Sequence, residues 1–329
     1  MSSVKLLCEK VLPRFSQRHI NLAFAYGSGV FQQNNQAPLS QQMLDIILIV
    51  SDAKAFHKEN LDRNRKDYSF LKYFGADKIS HIQQNYGAKV FFNTLVPIGN
   101  KRMIKYGIIQ TDDLLRDLFD WETLYIAGRL HKPVLMLNDP EDYIEEALKS
   151  NLKSALNSAT LLLPRIFDEI TLYKTIASLS YTGDFRMVVG EDRDKIENIV
   201  RPNFVHFQKL YQNLIEKDDN LNLSNGMIEQ NLESSVVCNR LISLPRKLAR
   251  TLVLKDGKRQ VNKDIEDIMC DLMYGYEIES EVRSAVKKIV SRTSSSQSVK
   301  GIFSAGMLKS LKYSGKKLNK WLKSIYRSS

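Results

Sequence analysis

Apolar runs and polar breaks alternate along this chain in a way that outlines most of its elements. Val4, Leu7, Val11, Leu12 and Phe15 recur at helical spacing and predict a first helix over 4–18. The run from Leu22 to Tyr26 reads as a strand that stops at Gly27-Ser28-Gly29. A second run, Met43 to Val50, is apolar except for Asp45 and predicts another buried strand. The loop 32–42 between them has the composition of a mobile flap, and 51–73 reads as a polar helical stretch carrying His57, Asn60, Tyr68 and Ser69. Lys89–Asn93 and Met103–Ile109 are short β-rich segments split by Pro97, Gly99 and Asn100, which predicts paired strands extending the same sheet.

From Thr111 the period becomes helical, predicting a helix through Leu130 that packs on the sheet, then helices over 142–167 and 168–179. Gly183 breaks that pattern inside Tyr181-Thr182-Gly183-Asp184-Phe185-Arg186. Another helix is predicted over 199–214, a polar loop over 218–225, and short helical patterns with polar breaks over 227–282. A serine-rich run, 293–298, reads as a flexible linker. Beyond Val299 the positions Ile302, Phe303, Met307, Leu308, Leu311, Leu318, Trp321, Leu322 and Ile325 recur at three and four. Lys309, Lys312, Lys316, Lys317, Lys320 and Lys323 fall mostly on other faces, so the tail predicts a basic amphipathic helix suited to an anionic membrane surface. A docking helix for a partner protein and an RNA-binding segment are its rivals.

Charge sharpens this division. The chain of 329 residues has a net charge of +11, yet twelve Lys and Arg follow Glu281 with no acid among them, leaving 36 basic against 37 acidic residues in the body. The basicity belongs to the tail, and the near-neutral body argues against a long polyanion such as nucleic acid bound there. Cys8, Cys238 and Cys270 form no Cys-x-x-Cys pair, which argues against a zinc knuckle or a disulfide framework and suits a reducing compartment. No apolar run approaches the roughly 20 residues that span a bilayer, so membrane contact is expected to be peripheral. The N-terminal stretch, with Lys5, Lys10, Arg14 and Arg18, reads equally as a transit peptide or an ordinary first helix.

Candidate chemistry gathers at the first two strands. Gly27 and Gly29 let a ligand approach the backbone, where successive N–H groups and Ser28 can meet phosphate oxygens. Asp45, a carboxylate at the start of a buried strand, needs a partner, for which a magnesium ion is suited. Lys105 lies on a predicted strand where it can neutralise charge on a transferring group, or simply snorkel to solvent. Arg129 and Lys132 can reach phosphates, although cations near a helix C-terminus are favoured by its dipole alone. Asp184 and Arg186, one residue apart, fall on the same side of an extended backbone, as a site pair or a surface ion pair. An isolated His57 is more often structural than a ligand.

A glycine-serine turn on one strand with an aspartate on the next resembles the nucleotidyltransferase superfamily. The longer string comprises Tyr26-Gly27-Ser28-Gly29-Val30-Phe31, Met43-Leu44-Asp45, Lys105-Tyr106-Gly107, Ala127-Gly128-Arg129-Leu130-His131-Lys132-Pro133, Ser180 to Arg186, and Lys300-Gly301-Ile302-Phe303-Ser304-Ala305-Gly306. In order, these resemble the mitochondrial CDP-diacylglycerol synthase family, also called mitochondrial phosphatidate cytidylyltransferase or translocator assembly and maintenance protein. The resemblance implies an α+β fold: a nucleotidyltransferase-like mixed sheet flanked by helices (1–140), a helical, winged-helix-like second domain completing the active site (141–292), and a linker with the membrane-binding helix (293–329).

It also implies CTP and phosphatidic acid as substrates, CDP-diacylglycerol and pyrophosphate as products, and Mg²⁺ as cofactor. The implied setting is the matrix side of the mitochondrial inner membrane, where the product feeds cardiolipin and phosphatidylglycerol synthesis. The implied catalytic groups are Asp45, Lys105, Asp184 and Arg186, with Asp45 and Asp184 at the metal. Tyr26, Gly27, Ser28, Gly29, His57, Asn60 and Tyr181 are implied at substrate, and Phe303, Leu311, Lys312, Lys316, Lys317 and Trp321 at the membrane. One departure stands out, because nucleotidyltransferases usually carry a second acid two residues after the first, and that position is Ile47. The rival readings are a nucleotidyltransferase with another acceptor and a non-enzymatic scaffold that maintains a protein translocase.

Overall fold

Strand parity sorts the apolar residues of this protein onto two faces of one sheet. The structure is a computed structural model that describes residues 3–32, 42–99, 102–187, 194–255, 269–270 and 277–305. Helix α1 (Ser3–Val11) stops before Pro13, shorter than the predicted 4–18. Strand β1 (Ile20–Tyr26) and strand β2 (Leu44–Val50) pair antiparallel, and most of the connecting segment, 33–41, lies outside the described residues. Helix α2 (Ala53–Asn64) is capped by Asp52, whose carboxylate accepts from the backbone of Lys54 and Ala55. Helix α3 (Gly75–Asn85) follows, then the hairpin of β3 (Phe91–Ile98) and β4 (Arg102–Gln110), as the sequence predicted.

The predicted helix over 111–130 is two. Helix α4 (Thr111–Asp120) ends where Trp121 adopts a left-handed backbone with φ 54°, and a short α5 (Ala127–Leu130) resumes after a loop. With β5 (Leu135–Met136) the sheet order is β3-β4-β2-β1-β5, mixed, with β2 and β4 parallel. One face packs Ala23, Ala25, Ile46, Leu48 and Ile108 against Val4, Phe15, Phe56 and Ile79 from α1, the segment after it, α2 and α3. Their alternate neighbours Leu22, Phe24, Ile47, Ile49 and Ile109 face a larger core shared with the C-terminal half.

That half is less purely helical than predicted. Helix α6 (Asp142–Thr160) is followed by β6 (Ile166–Asp168), α7 (Glu169–Leu179), α8 (Lys195–Val200), α9 (Phe204–Glu216), β7 (Leu221–Ser224) and β8 (Met227–Gln230). The three strands form a small antiparallel sheet, β6-β8-β7, where the sequence suggested loop and helix. They are only three or four residues long, too short for a periodic signal to emerge. Helices α10 (Ser234–Ile242) and α11 (Arg246–Lys255) precede the long α12 (Ile278–Ala305).

Two further expectations are corrected. The serine-rich run 293–298 is not a linker but part of α12, because Thr293, Ser294 and Gln297 are buried. Gln297 accepts from the Ala88 amide and donates to the Val90 carbonyl, while Lys300 donates to the carbonyls of Gln83 and Tyr86. Cys238 and Cys270 are joined in a disulfide, Cα–Cα 5.0 Å, across 32 residues, leaving Cys8 as the buried free thiol. No helix among the described residues is long and apolar enough to cross a membrane.

Candidate active site

Tyr26, Asp45 and Lys105 are register partners on the adjacent strands β1, β2 and β4, so the three side chains stand in one row across the sheet. Lys105 Nζ lies 3.5 Å from Asp45 Oδ1 and 4.3 Å from the centre of the Phe92 ring. Both charged side chains are only a fifth or less exposed. Phe92 reaches this position because Gly107, its partner on β4, has no side chain: a Cβ there would stand 2.5 Å from the ring. Ile47, at the position where nucleotidyltransferases usually carry a second acid, is fully buried on the same face as Asp45.

The turn after β1 closes over this row. Gly27 takes φ +77°, and its carbonyl accepts from the amides of Val30 and Phe31 at 3.0 Å. A Cβ on Gly29 would meet the Met43 carbonyl at 2.3 Å, so only glycine lets the turn lie against the entry to β2. Arg102 fastens the arrangement by donating to the carbonyls of Gly29 and Gln42, and Ser28 donates to the Gln42 side chain.

Two further cations, Arg129 and Lys132, come from α5 and the residues just after it. Asp117 on α4 accepts from the amides of Thr123, Leu124, Tyr125, Ile126 and Ala127 and from the Thr123 hydroxyl, at 2.7–3.1 Å. This folds the α4–α5 loop so that the Arg129 guanidinium stacks 3.8 Å from the Tyr125 ring centre and 5.3 Å from that of Tyr26, while donating to the Tyr125 carbonyl. Gly128 packs so closely on Ser180 that a Cβ would come within 2.3 Å of it. Lys132 donates to Ser180 and to the Gly128 carbonyl, with its ammonium 5.0 Å from the Tyr181 ring centre. These contacts tie α5 to the segment that carries Arg186.

Asp184 and Arg186 meet on a tight turn rather than on an extended backbone. The nearly buried Asp184 carboxylate accepts from the Arg186 amide, Nε and Nη2. Its oxygens thus aim the Arg186 guanidinium. The charges register on the phenols nearby. Burial pushes Tyr125 up, but Arg129, Arg186 and Lys105 outweigh it and leave the phenol at about 8. Burial, with Arg129 and Lys195 beside it, pulls Lys132 down to about 7.

His57 and Asn60 are not at this site. Both are buried on the opposite face, where His57 is held by Tyr68 and Gln83, and Asn60 donates to the hydroxyls of Tyr68 and Tyr106. Tyr106 directly follows Lys105 on β4 and therefore points the other way. Burial drives the His57 pKa to about 4, as expected of a core histidine kept neutral.

The site therefore offers one partly exposed carboxylate beside a glycine turn, ringed by Lys105, Arg129 and Arg186. That charge pattern fits a polyphosphate. Among the described residues no three His, Cys, Asp or Glu groups are close enough to hold a metal by themselves. Asp45 still suits magnesium, which binds through one or two carboxylates and takes remaining ligands from water and substrate phosphates. The family model for mitochondrial phosphatidate cytidylyltransferase matches residues 8–320. The chain belongs to this family.

Relatives carrying that same description are 46% identical over 319 residues in Xenopus laevis, covering 95% of this chain and 94% of the relative. Another in Danio rerio is 43% identical over 316 residues, 94% and 93% of the two chains, and one in Caenorhabditis elegans is 39% identical over 309 residues, 93% and 95%. The match to this cytidylyltransferase family spans Asp45, Lys105, Arg129 and Arg186 alike. Sequence reasoning undervalued Arg129 and overlooked Tyr125 and Asp117. The signal available for Asp117 was an acid on a helix just before a segment without periodicity, where unpaired amides need an acceptor.

Proposed function

We propose that this protein transfers the cytidylyl group of CTP to phosphatidate at a membrane surface in the mitochondrion. The observation that carries the reading is the Asp45–Lys105 pair under the Gly27–Gly29 turn, flanked by Arg129 and Arg186, in a chain of this family. A phosphatidate oxygen attacks the α-phosphorus of CTP, forming the new P–O–P bond while the bond to the β-phosphate oxygen breaks and pyrophosphate leaves. Both partners are anions, so the protein's task is alignment and charge neutralisation.

The turn amides and Ser28 receive the β- and γ-phosphates, with Tyr26 and Tyr181 beside the nucleotide. Lys105, Arg129 and Arg186 take up the charge that builds in transfer, and Asp184 keeps Arg186 aimed. Asp45 would hold Mg²⁺, and the chemistry the ion would supply when bound is Lewis-acid neutralisation of triphosphate charge.

On this reading the second half, whose elements run β6-α7-α8-α9-β7-β8, serves as a winged-helix-like domain that supplies Arg186. The lipid acceptor requires a body held at the bilayer, on the matrix side of the inner membrane, where the product feeds cardiolipin and phosphatidylglycerol synthesis. Phe303, exposed near the end of α12, begins the anchoring stretch, while Leu311, Lys312, Lys316, Lys317 and Trp321 lie outside the described residues. The test is pyrophosphate release from CTP, Mg²⁺ and phosphatidate vesicles by the wild type, Asp45→Ala and a chain ending after Ala305. Ending before Val299 would cut away the Lys300 contacts as well. Activity is expected from the wild type alone on vesicles; an Asp45→Ala protein as active as wild type would sink the reading, and a catalytically silent wild type would favour the scaffold.

A further inference from the structure

The turn between α2 and α3 exposes aromatics in a way that packing does not explain. Phe70, Tyr73 and Phe74 are 49%, 74% and 59% exposed, with the two phenylalanine rings 6.3 Å apart. The segment is built rather than loose. Leu71 is buried between them, Ser69 caps its amide, and the Leu71 carbonyl accepts from Phe74. Cations surround the patch: Lys72 lies 5.5 Å and Arg65 5.9 Å from the centre of the Tyr73 ring, and Arg63, Lys66 and Lys78 are exposed nearby in sequence. The neighbouring acids are mostly engaged, Asp67 by Arg14 and Asp77 by Lys54.

The patch lies at the same end of the sheet as Asp45. Helix α2 starts just past the end of β2 remote from Asp45 and runs back, so the residues after it reach the Asp45 end. There Arg14 bonds to Asn64, Asp67 and the Pro97 carbonyl, and Pro97 pairs with Met103, two residues before Lys105. Helix α3 carries Gln84 to Gln110 at the remote end, which sets its start, beside Phe74, at the Asp45 end. Met103, on the same strand face as Lys105, is also exposed there.

We propose that Phe70, Tyr73 and Phe74, with Lys72 and Arg65, form a second membrane contact. It seats the catalytic end of the sheet on an anionic lipid surface, independently of the C-terminal tail. Aromatic rings settle at the headgroup level while flanking cations meet anionic headgroups, and the same surface presents its lipid to the site. This rests on the reading of the acceptor as a membrane lipid.

The test uses the full chain, with Phe70→Ser, Tyr73→Ser and Phe74→Ser combined. It measures co-sedimentation with phosphatidylcholine vesicles containing phosphatidate, and turnover of vesicle-borne and of dispersed short-chain phosphatidate. Losing three interfacial aromatics is expected to weaken vesicle binding at least about tenfold. Turnover of the dispersed substrate should stay at the wild-type level, which also reports an intact fold. Arg65→Glu with Lys72→Glu should weaken binding to phosphatidate vesicles but not to pure phosphatidylcholine. Vesicle binding by the aromatic variant within twofold of wild type overturns the proposal and assigns the patch to a protein partner. If the wild type turns over neither form of phosphatidate, the cytidylyltransferase reading fails, and sedimentation alone still decides the membrane contact.

Discussion

Replacing His57 by leucine separates a core role from a substrate role. Gln83 Oε1 can only accept, so His57 Nε2 is the donor at 2.8 Å and Nδ1 accepts from the Tyr68 hydroxyl at 2.9 Å. The ring is held neutral, and leucine of similar bulk would leave the Tyr68 hydroxyl proton and the Gln83 carbonyl oxygen without partners. Two orphaned buried groups cost about 2–4 kcal/mol at pH 7. The same substitution removes a source of acid sensitivity. Burial lowers His57 from 6.5 to about 4, so between those values the unfolded chain binds the proton that the folded chain refuses, and stability falls as pH falls. Integrated from pH 7 to pH 5, that difference is about 1.8 kcal/mol. His131, pushed down to about 3, contributes in the same direction and remains in the variant. Urea unfolding of both proteins at pH 7 and pH 5 should therefore show a less stable variant with a shallower pH dependence, while its KM for CTP stays within about twofold. A variant of unchanged stability whose KM for CTP rose tenfold would refute the argument and return His57 to the site.

Three other substitutions or assays probe the remaining structure. Asp45→Asn should cut pyrophosphate release by about 10²–10³-fold with little change in Tm, because the lost charge acts on substrate rather than on packing; wild-type turnover would contradict it. Asp117→Asn turns an amide NH₂ toward amides that now donate to a carboxylate, and should cost about 3 kcal/mol in thermal unfolding together with much of the activity; unchanged stability would show that the α4–α5 loop is held by other means. Thiol titration of the unfolded, unreduced protein should find one reactive cysteine, Cys8, and adding reductant should lower stability by about 3–4 kcal/mol for a loop of this length; three free thiols before reduction would remove the disulfide.

The sequence by itself determined what depends on neighbours along the chain. The two buried strands, the β3–β4 hairpin and the glycine turn follow from runs of apolar residues and from conformations that only glycine reaches easily. Strand alternation even implied that Lys105 and Tyr106 face opposite sides, so His57 and Asn60 could have been separated from Asp45 once their burial against Tyr106 was known. Tertiary structure alone decided which strands are neighbours and hence that Tyr26, Asp45 and Lys105 form a row. It also turned Arg129, a residue that reads locally as an ordinary helix-end cation, toward the same place through Asp117 and the Gly128–Ser180 contact. The serines of α12 read as linker because they favour turns and caps over helix interiors; burial of Gln297 and Lys300 against the backbone of residues 83–90 overrides that weak preference. Such pairings span tens to hundreds of residues, and local periodicity holds no record of contacts made at that separation.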